Sequence, residues 1–260
     1  MDIIQLLMSN APAFLFVLVR TASILIAAPI FGTTFNIPMR VKLGLSVLIA
    51  FIITPLAGYV PLPQTLVMLV MGLAGELLIG ITIGMSIQFV FTGIEFAGQI
   101  ASFQMGLGMA SAYDPLNSSQ TAILGEMMSF LTLLIFLSVN GHLMIIMVLR
   151  KSFEVIPPYG FRLSGAFMEN FILFSREIFI LAVKFSAPVV AILVFINVAL
   201  GIMARSVPQL NMFVVGFAIT ILIGFVMIAI SMPAFEAALI AVFDRMWQGV
   251  FNLTGAMHHA

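Results

Sequence analysis

The 260-residue chain contains no cysteine. That absence excludes a disulfide frame, a thiol nucleophile and a zinc-thiolate cluster, and it leaves the redox compartment open. Charge is nearly as scarce, with Asp, Glu, Lys and Arg at 8 % of residues and ten acidic groups against ten basic ones. Nothing in so thin and balanced a distribution forms a polybasic face of the kind that binds nucleic acid or coats an anionic membrane. Histidine occurs three times, at His142 and the adjacent His258 and His259, too few and too far apart for a metal set, so His142 reads as an interfacial turn residue. The amino-terminal stretch has Asp2 where a signal peptide carries its basic region, so the first helix is expected to stay attached.

What remains is apolar: 62 % of the residues, with a mean hydropathy of +1.23, far outside the range of soluble globular domains. Residues 21–39, 43–75, 77–94, 127–149, 185–204 and 206–235 contain no charge. Several of these runs reach the roughly 20 residues that a helix needs to cross a hydrocarbon core of about 30 Å. Backbone polar groups in lipid must be satisfied within the segment or within a closed barrel. Continuous apolar runs lack the strict alternation of barrel strands, so the expected fold is all-α, a polytopic membrane protein of helical hairpins.

Punctuation places about six helices in one integral membrane domain, 1–260. Asn10 and Pro12 open the first, which ends near Ala28 before Pro29 and Gly32. The second runs from Pro38 to Ile53, closed by Pro55 and Gly58, and Pro61 and Pro63 turn into the third, 64–91. A further helical stretch, 96–105, leads to a polar segment at about 106–120. The fourth helix is expected over 119–149, a polar loop at about 150–170, then helices over 171–203 and from Arg205-Pro208 to Trp247. Counting six spans, basic residues fall nearly equally on the two sides: Arg40, Lys42 and Arg205 against Arg150, Lys151, Arg162 and Arg245. Such a tie implies either an additional half-span at 96–105 or a location imposed by partner proteins.

Six ionisable residues interrupt the apolar stretches: Arg20, Glu76, Glu95, Glu126, Lys184 and Glu236. Each costs a few kcal/mol if it faces lipid, so each needs a partner on a neighbouring helix or subunit, or water. Gly72, Gly75, Gly80 and Gly84 give the third helix a small-residue face suited to close packing, in cis or between subunits. No enzyme signature accompanies them. The spacing of Gly75 to Gly80 and of Gly93 to Gly98 lacks the Lys-Ser/Thr of a phosphate loop, Gly106-x-Gly108 continues to Ser111, and Tyr113-Asp114 is followed by Pro115 without a second helical Asp. No cofactor or metal is expected.

The polar punctuation, in its order along the chain, carries a resemblance. Arg20, Ala28-Pro29-Ile30-Phe31-Gly32, Ile37-Pro38-x-Arg40-Val41-Lys42-Leu43-Gly44, Gly75-Glu76-Leu77-Leu78-Ile79-Gly80, Ala97-Gly98-Gln99, Gln104-Met105-Gly106-Leu107, Asp114-Pro115, Asn140-Gly141-His142 and Arg205-x-x-Pro208-Gln209-x-Asn211 together resemble the FliR family of flagellar export proteins. The injectisome counterpart SctT shares the architecture. The resemblance implies a non-enzymatic subunit of the type III export gate, a FliP-like part joined to a FliQ-like part. It would assemble with FliP and FliQ, with FlhB at the cytoplasmic entrance, in the bacterial inner membrane at the flagellar basal body. Unfolded flagellar proteins would pass through, with membrane lipid around the helices and no nucleic acid involved.

The same resemblance implies a pore plug formed by the loop 109–117, flanked by glycine hinges: Gly106, Gly108, Met109, Ala110, Ser111, Ala112, Tyr113, Asp114, Pro115, Leu116 and Asn117. Adaptable bulk at Met109 and Tyr113 suits occlusion of a wet lumen. Intersubunit contacts are expected at Arg20, Glu76, Glu126, Lys184, Arg205 and Gln209. The rival class is an independent secondary transporter or ion channel with Glu76, Glu95, Glu126 and Lys184 along an ion pathway. Only a faint internal echo, Gly75-Glu76-Leu77-Leu78 against Gly125-Glu126-Met127-Met128, supports paired halves.

Overall fold

A computed structural model describes residues 11–29, 37–56, 60, 65–107, 123–162, 165–206 and 212–257. Seven α-helices account for nearly all of them: α1 Ala11–Ala27, α2 Met39–Ile53 with a 3-10 turn at Thr54–Leu56, α3 Leu66–Met105, α4 Ile123–Ser138, α5 Gly141–Val155, α6 Gly165–Ser206 and α7 Met212–Ala256. No strand occurs among the described residues. The protein is an all-α polytopic membrane protein. Four helices are long and apolar enough to cross a bilayer, and the bent pair α4–α5 brings the number to as many as five.

Local chemistry explains most boundaries. Pro12 occupies the first turn of α1, where its missing N–H costs nothing, and Pro38 precedes α2 in an extended conformation. Thr65 caps α3 by accepting the Met68 N–H on its hydroxyl at 3.2 Å. Two expected boundaries differ. The break anticipated after residue 91 is missing, and α3 runs 40 residues without interruption. Gly93 serves packing there: an added Cβ would lie 3.0 Å from both the Ile178 carbonyl oxygen and Leu181 Cβ. Conversely, the single helix expected over 119–149 is bent by 68° between α4 and α5. Asn140 adopts the left-handed region, φ 58° and ψ 30°, which ends α4; its carbonyl accepts from Leu143 and Met144 to start α5. Asn tolerates that conformation better than most residues.

Three helices are much longer than a bilayer requires. At 1.5 Å per residue, the 40, 42 and 45 residues of α3, α6 and α7 correspond to roughly 60–68 Å, about twice the hydrocarbon thickness. Large apolar side chains stand exposed along them, Phe103 at 82 % and Phe195 at 72 % among the most open.

The chain forms two compact units. The first comprises Met1–Phe89, Asn140–Ser175 and Asp244–Ala260. Its core includes Ala13, Phe16 and Val60, with Leu69, Leu73 and Tyr159 packed against them. Here α1 lies directly on the small-residue face of α3. A Cβ at Gly80 would fall 1.8 Å from Ser23 Oγ and 2.6 Å from the Arg20 carbonyl oxygen, and one at Gly84 would fall 2.5 Å from Ala27 Cβ. Gly72 and Gly75 face Tyr159 and Phe161 in the same way. All four glycines of the sequence pattern therefore make their close approaches within the chain.

The second unit comprises Val90–Val139 and Arg176–Phe243. Its core joins Ala101, Met105, Leu124, Val189, Leu193 and Ile228. The rings of Phe91, Phe136 and Phe243 pack mutually at centroid distances of 5.7, 6.1 and 5.1 Å, adding edge-to-face contact to apolar burial. A Cβ at Gly98 would meet Gly125 Cα at 2.7 Å, so α3 and α4 cross backbone against backbone.

Candidate functional site

In the first unit, one arginine joins three helices. Arg20 on α1 is fully enclosed and Glu76 on α3 is 1 % exposed. The Arg20 Nε donates to Glu76 Oε2 and its Nη2 donates to Glu76 Oε1 at 3.0 Å, a fork-to-fork pair. Two of the three remaining guanidinium protons are also used. Nη1 donates to Ser152 Oγ at 3.0 Å, and Nη2 donates to the Ile156 carbonyl oxygen at 3.0 Å. The Phe153 ring lies under the guanidinium carbon at 3.7 Å, covering its face with a π-system.

The geometry has a local cause. Gly80, one turn beyond Glu76, lets α1 approach α3 until Ser23 lies over it, and this brings Arg20 within reach of the acid. Ser152 and Phe153 of α5 complete the site. A buried ion pair of this kind holds together because both carboxylate oxygens and four of the five guanidinium N–H groups are hydrogen-bonded. Arg20 and Glu76, expected at intersubunit contacts, are closed inside the chain and satisfy each other. Ser152, Phe153 and Ile156 were not singled out in the sequence; they fall where a polar loop was expected to begin, and only the apolar spacing around Arg150 and Lys151 signals a continuing helix.

Nearby, Tyr159 has φ 67° and its ring meets Phe16 at 4.8 Å. Its buried hydroxyl has no hydrogen-bond partner among the described residues, and burial pushes the phenol above its ordinary pKa. His142 lies in the first turn of α5, with a buried Nδ1 that likewise has no partner among them.

In the second unit, the end of α3 leads towards the polar segment of the sequence. The Leu107 N–H donates to the Ser102 carbonyl at 3.0 Å and the Gly106 N–H to the Phe103 carbonyl at 3.1 Å. With Gly106 at φ +85°, this is a Schellman stop. The Thr220 hydroxyl of α7 donates to the Met105 carbonyl at 3.1 Å, and an added Cβ on Gly106 would strike the Phe217 ring at 2.4 Å. Gly106, expected as a hinge, is a pinned helix terminus: it needs glycine for its positive φ and for the closeness of Phe217. The remaining plug residues, Gly108 to Asn117, lie outside the described residues, as does Gln209.

The other expected contact residues are at the surface. Glu126 stands exposed in the first turn of α4, where its charge complements the helix dipole. Lys184 is exposed in the middle of α6, and Arg205 is exposed in its last turn, again with favourable dipole polarity. Glu95 is half-buried and accepts the Gln99 side-chain amide at 3.4 Å.

Fold and site together define a polytopic helical membrane protein braced by glycine crossings and one buried ion pair. The chain belongs to the FliR family of flagellar biosynthetic proteins: residues 11–246 match the family described as bacterial export proteins, family 1. It is 34 % identical over 237 residues to the flagellar biosynthetic protein FliR of Escherichia coli K12, spanning 91 % of this chain and 88 % of that protein. Identity to the FliR of Pectobacterium carotovorum is 34 % over 247 residues, 92 % of this chain and 90 % of that protein. For the FliR of Bacillus subtilis 168 it is 31 % over 248 residues, 93 % and 94 %. The family resemblance carried by the ordered motifs is thus confirmed. The protein is a component of the flagellar export apparatus, and its apolar helices give it a membrane location.

Proposed function

We propose that this chain is a structural and gating subunit of the flagellar type III export gate. In this reading it forms, with FliP and FliQ, the channel for unfolded flagellar proteins in the bacterial inner membrane at the basal body, with FlhB at the cytoplasmic entrance. The role is conduction and occlusion, which need no catalysis. Family membership across residues 11–246 carries the reading. Helix length supports it: apolar helices of roughly 60 Å or more offer more exposed surface than a bilayer about 30 Å thick can cover, so protein neighbours are required.

Residues 109–117 are the plug in this reading. The helix end that leads to them is fixed by the Schellman stop at Gly106 and by Thr220. The transporter alternative needs Glu76 as an ion or proton carrier, and the engagement of both Glu76 oxygens by Arg20 weighs against it. Native mass spectrometry of the full chain, alone and co-expressed with FliP and FliQ from the same source, tests the assignment. A discrete hetero-oligomer with one copy of this chain is the expected result; a stable monomer or homodimer that ignores both partners overturns it.

A further inference from the structure

Lys184 is the one charged residue lining a cavity of about 200 Å³ in the second unit. It has no ion-pair partner among the described residues. Apart from Lys184 and Ser231 the lining is apolar, and the Ser231 hydroxyl is occupied, donating to the Ile228 carbonyl at 3.0 Å. Glu95, Glu126 and Glu236 are the acids closest in sequence to the lining residues. None of the three lines the cavity or pairs with Lys184.

The cavity has a cause in the sequence. Pro188 within α6 cannot donate to the Lys184 carbonyl, and Pro233 within α7 cannot donate to that of Ala229. The Phe185 and Phe235 rings meet edge to face at 5.1 Å and bring these two proline turns to one level. Opposite them α3 presents only Ala97, Gly98 and Ala101, side chains too small to fill the gap.

Lys184 also marks a depth. The charge-free run 185–204 separates it from Arg205, a rise of about 32 Å at 1.5 Å per residue, close to the roughly 30 Å of a hydrocarbon core. Cations that bracket such a run stand at the level of lipid phosphates. An apolar cavity beside a lone ammonium at that depth matches a molecule with an anionic head and a hydrocarbon tail. A carboxylate from a neighbouring protein would use the cation and leave the cavity unexplained.

We propose that this cavity binds an anionic phospholipid, its phosphate on the Lys184 ammonium and part of one acyl chain between α3, α6 and α7. The inference requires only that α6 crosses a bilayer, and stands independently of the gate reading.

The test is native mass spectrometry of the delipidated full chain in mild detergent. It is titrated with phosphatidylglycerol, with phosphatidylcholine of the same acyl chains, and with glycerol 3-phosphate as the headgroup alone. The expected result is one saturable phosphatidylglycerol, favoured about fivefold over phosphatidylcholine. Lys184→Gln removes the preference and Lys184→Arg keeps it. Ala238→Leu, which fills the cavity, weakens both lipids, and glycerol 3-phosphate does not compete. Should Ala238→Leu fail to fold, the exposed Lys184 pair decides alone. Absence of a saturable lipid, a preference that survives Lys184→Gln, or competition by glycerol 3-phosphate overturns the proposal. So does loss of the lipid on co-assembly with FliP and FliQ, combined with failure of Lys184→Glu to assemble, which assigns the site to a protein interface.

Discussion

The Arg20 guanidinium and the Glu76 carboxylate meet two nitrogens to two oxygens, both closed off from solvent, across the glycine-lined crossing of α1 and α3. Ser152 and the Ile156 carbonyl accept two further guanidinium protons, and the Phe153 ring covers the guanidinium face. The pair is a structural brace, and its cost of desolvation makes its two halves unequal to remove one at a time.

Glu76→Ala strands a buried cation and is expected to cost about 3–5 kcal/mol. The double variant Arg20→Met with Glu76→Leu removes both charges and should lose less than Glu76→Ala alone. Thermal unfolding in detergent compares them. A double variant as unstable as the single one means that the charges themselves, rather than their balance, hold this unit together.

Gly80→Ala introduces a Cβ against Ser23 and the Arg20 carbonyl, and is expected to destabilise by about 1–3 kcal/mol through forced separation of α1 and α3. Gly44 on α2 has no atom within 4 Å of the corresponding position, so Gly44→Ala should be neutral or stabilising by up to about 1 kcal/mol. Melting temperatures of the two variants, measured side by side, separate packing from helix propensity. Equal shifts sink the distinction.

At the end of α3, Gly106→Ala meets both a left-handed backbone and the Phe217 ring, and should cost at least about 1–2 kcal/mol. Deleting residues 109–116 leaves that anchor in place. The expected outcome is an intact assembly with increased ion leakage across a tight membrane. Unchanged conductance counts against a plug at these positions.

Arg205 is exposed at the last turn of α6, where reversal to Glu opposes the helix dipole by only about 0.3–1 kcal/mol within the chain. If Arg205 pairs with an acid of an adjacent FliP or FliQ, Arg205→Glu breaks the complex, and reversal of the partner acid restores it. Normal assembly of Arg205→Glu in co-purification shows that the pairing is not needed.

Some of this was legible in the residues and some was not. The apolar runs, the proline and glycine boundaries of α1 and α2 and the small-residue face of α3 could be read directly, because each reflects the local demands of a helix in lipid. Asn140-Gly141 could not be resolved that way: the pair fits a helix interface or a sharp bend, and the direction of α5 decides. Gly93 and Gly106 illustrate the same ambiguity in opposite directions. Glycine at 93 allows a neighbouring helix to approach, whereas at 106 it stops its own helix, and the difference lies in Leu181 and Phe217, far away in the chain.

By itself the sequence determined that this is a membrane-embedded helical protein and, through the order of its polar motifs, which family it belongs to. Helix formation in lipid is a local requirement: each segment must satisfy its own backbone, so composition and punctuation suffice. Which ionisable groups answer each other was decided only by tertiary structure. Several acids interrupt the apolar runs and any could have paired with Arg20; Glu76 does so because Gly80 lets α1 descend onto α3 one turn away, and Ser152 and Phe153 of α5 close the site. Pairing in a low-dielectric interior depends on distances of a few ångströms, and those are set by how helices cross, not by where their residues fall along the chain.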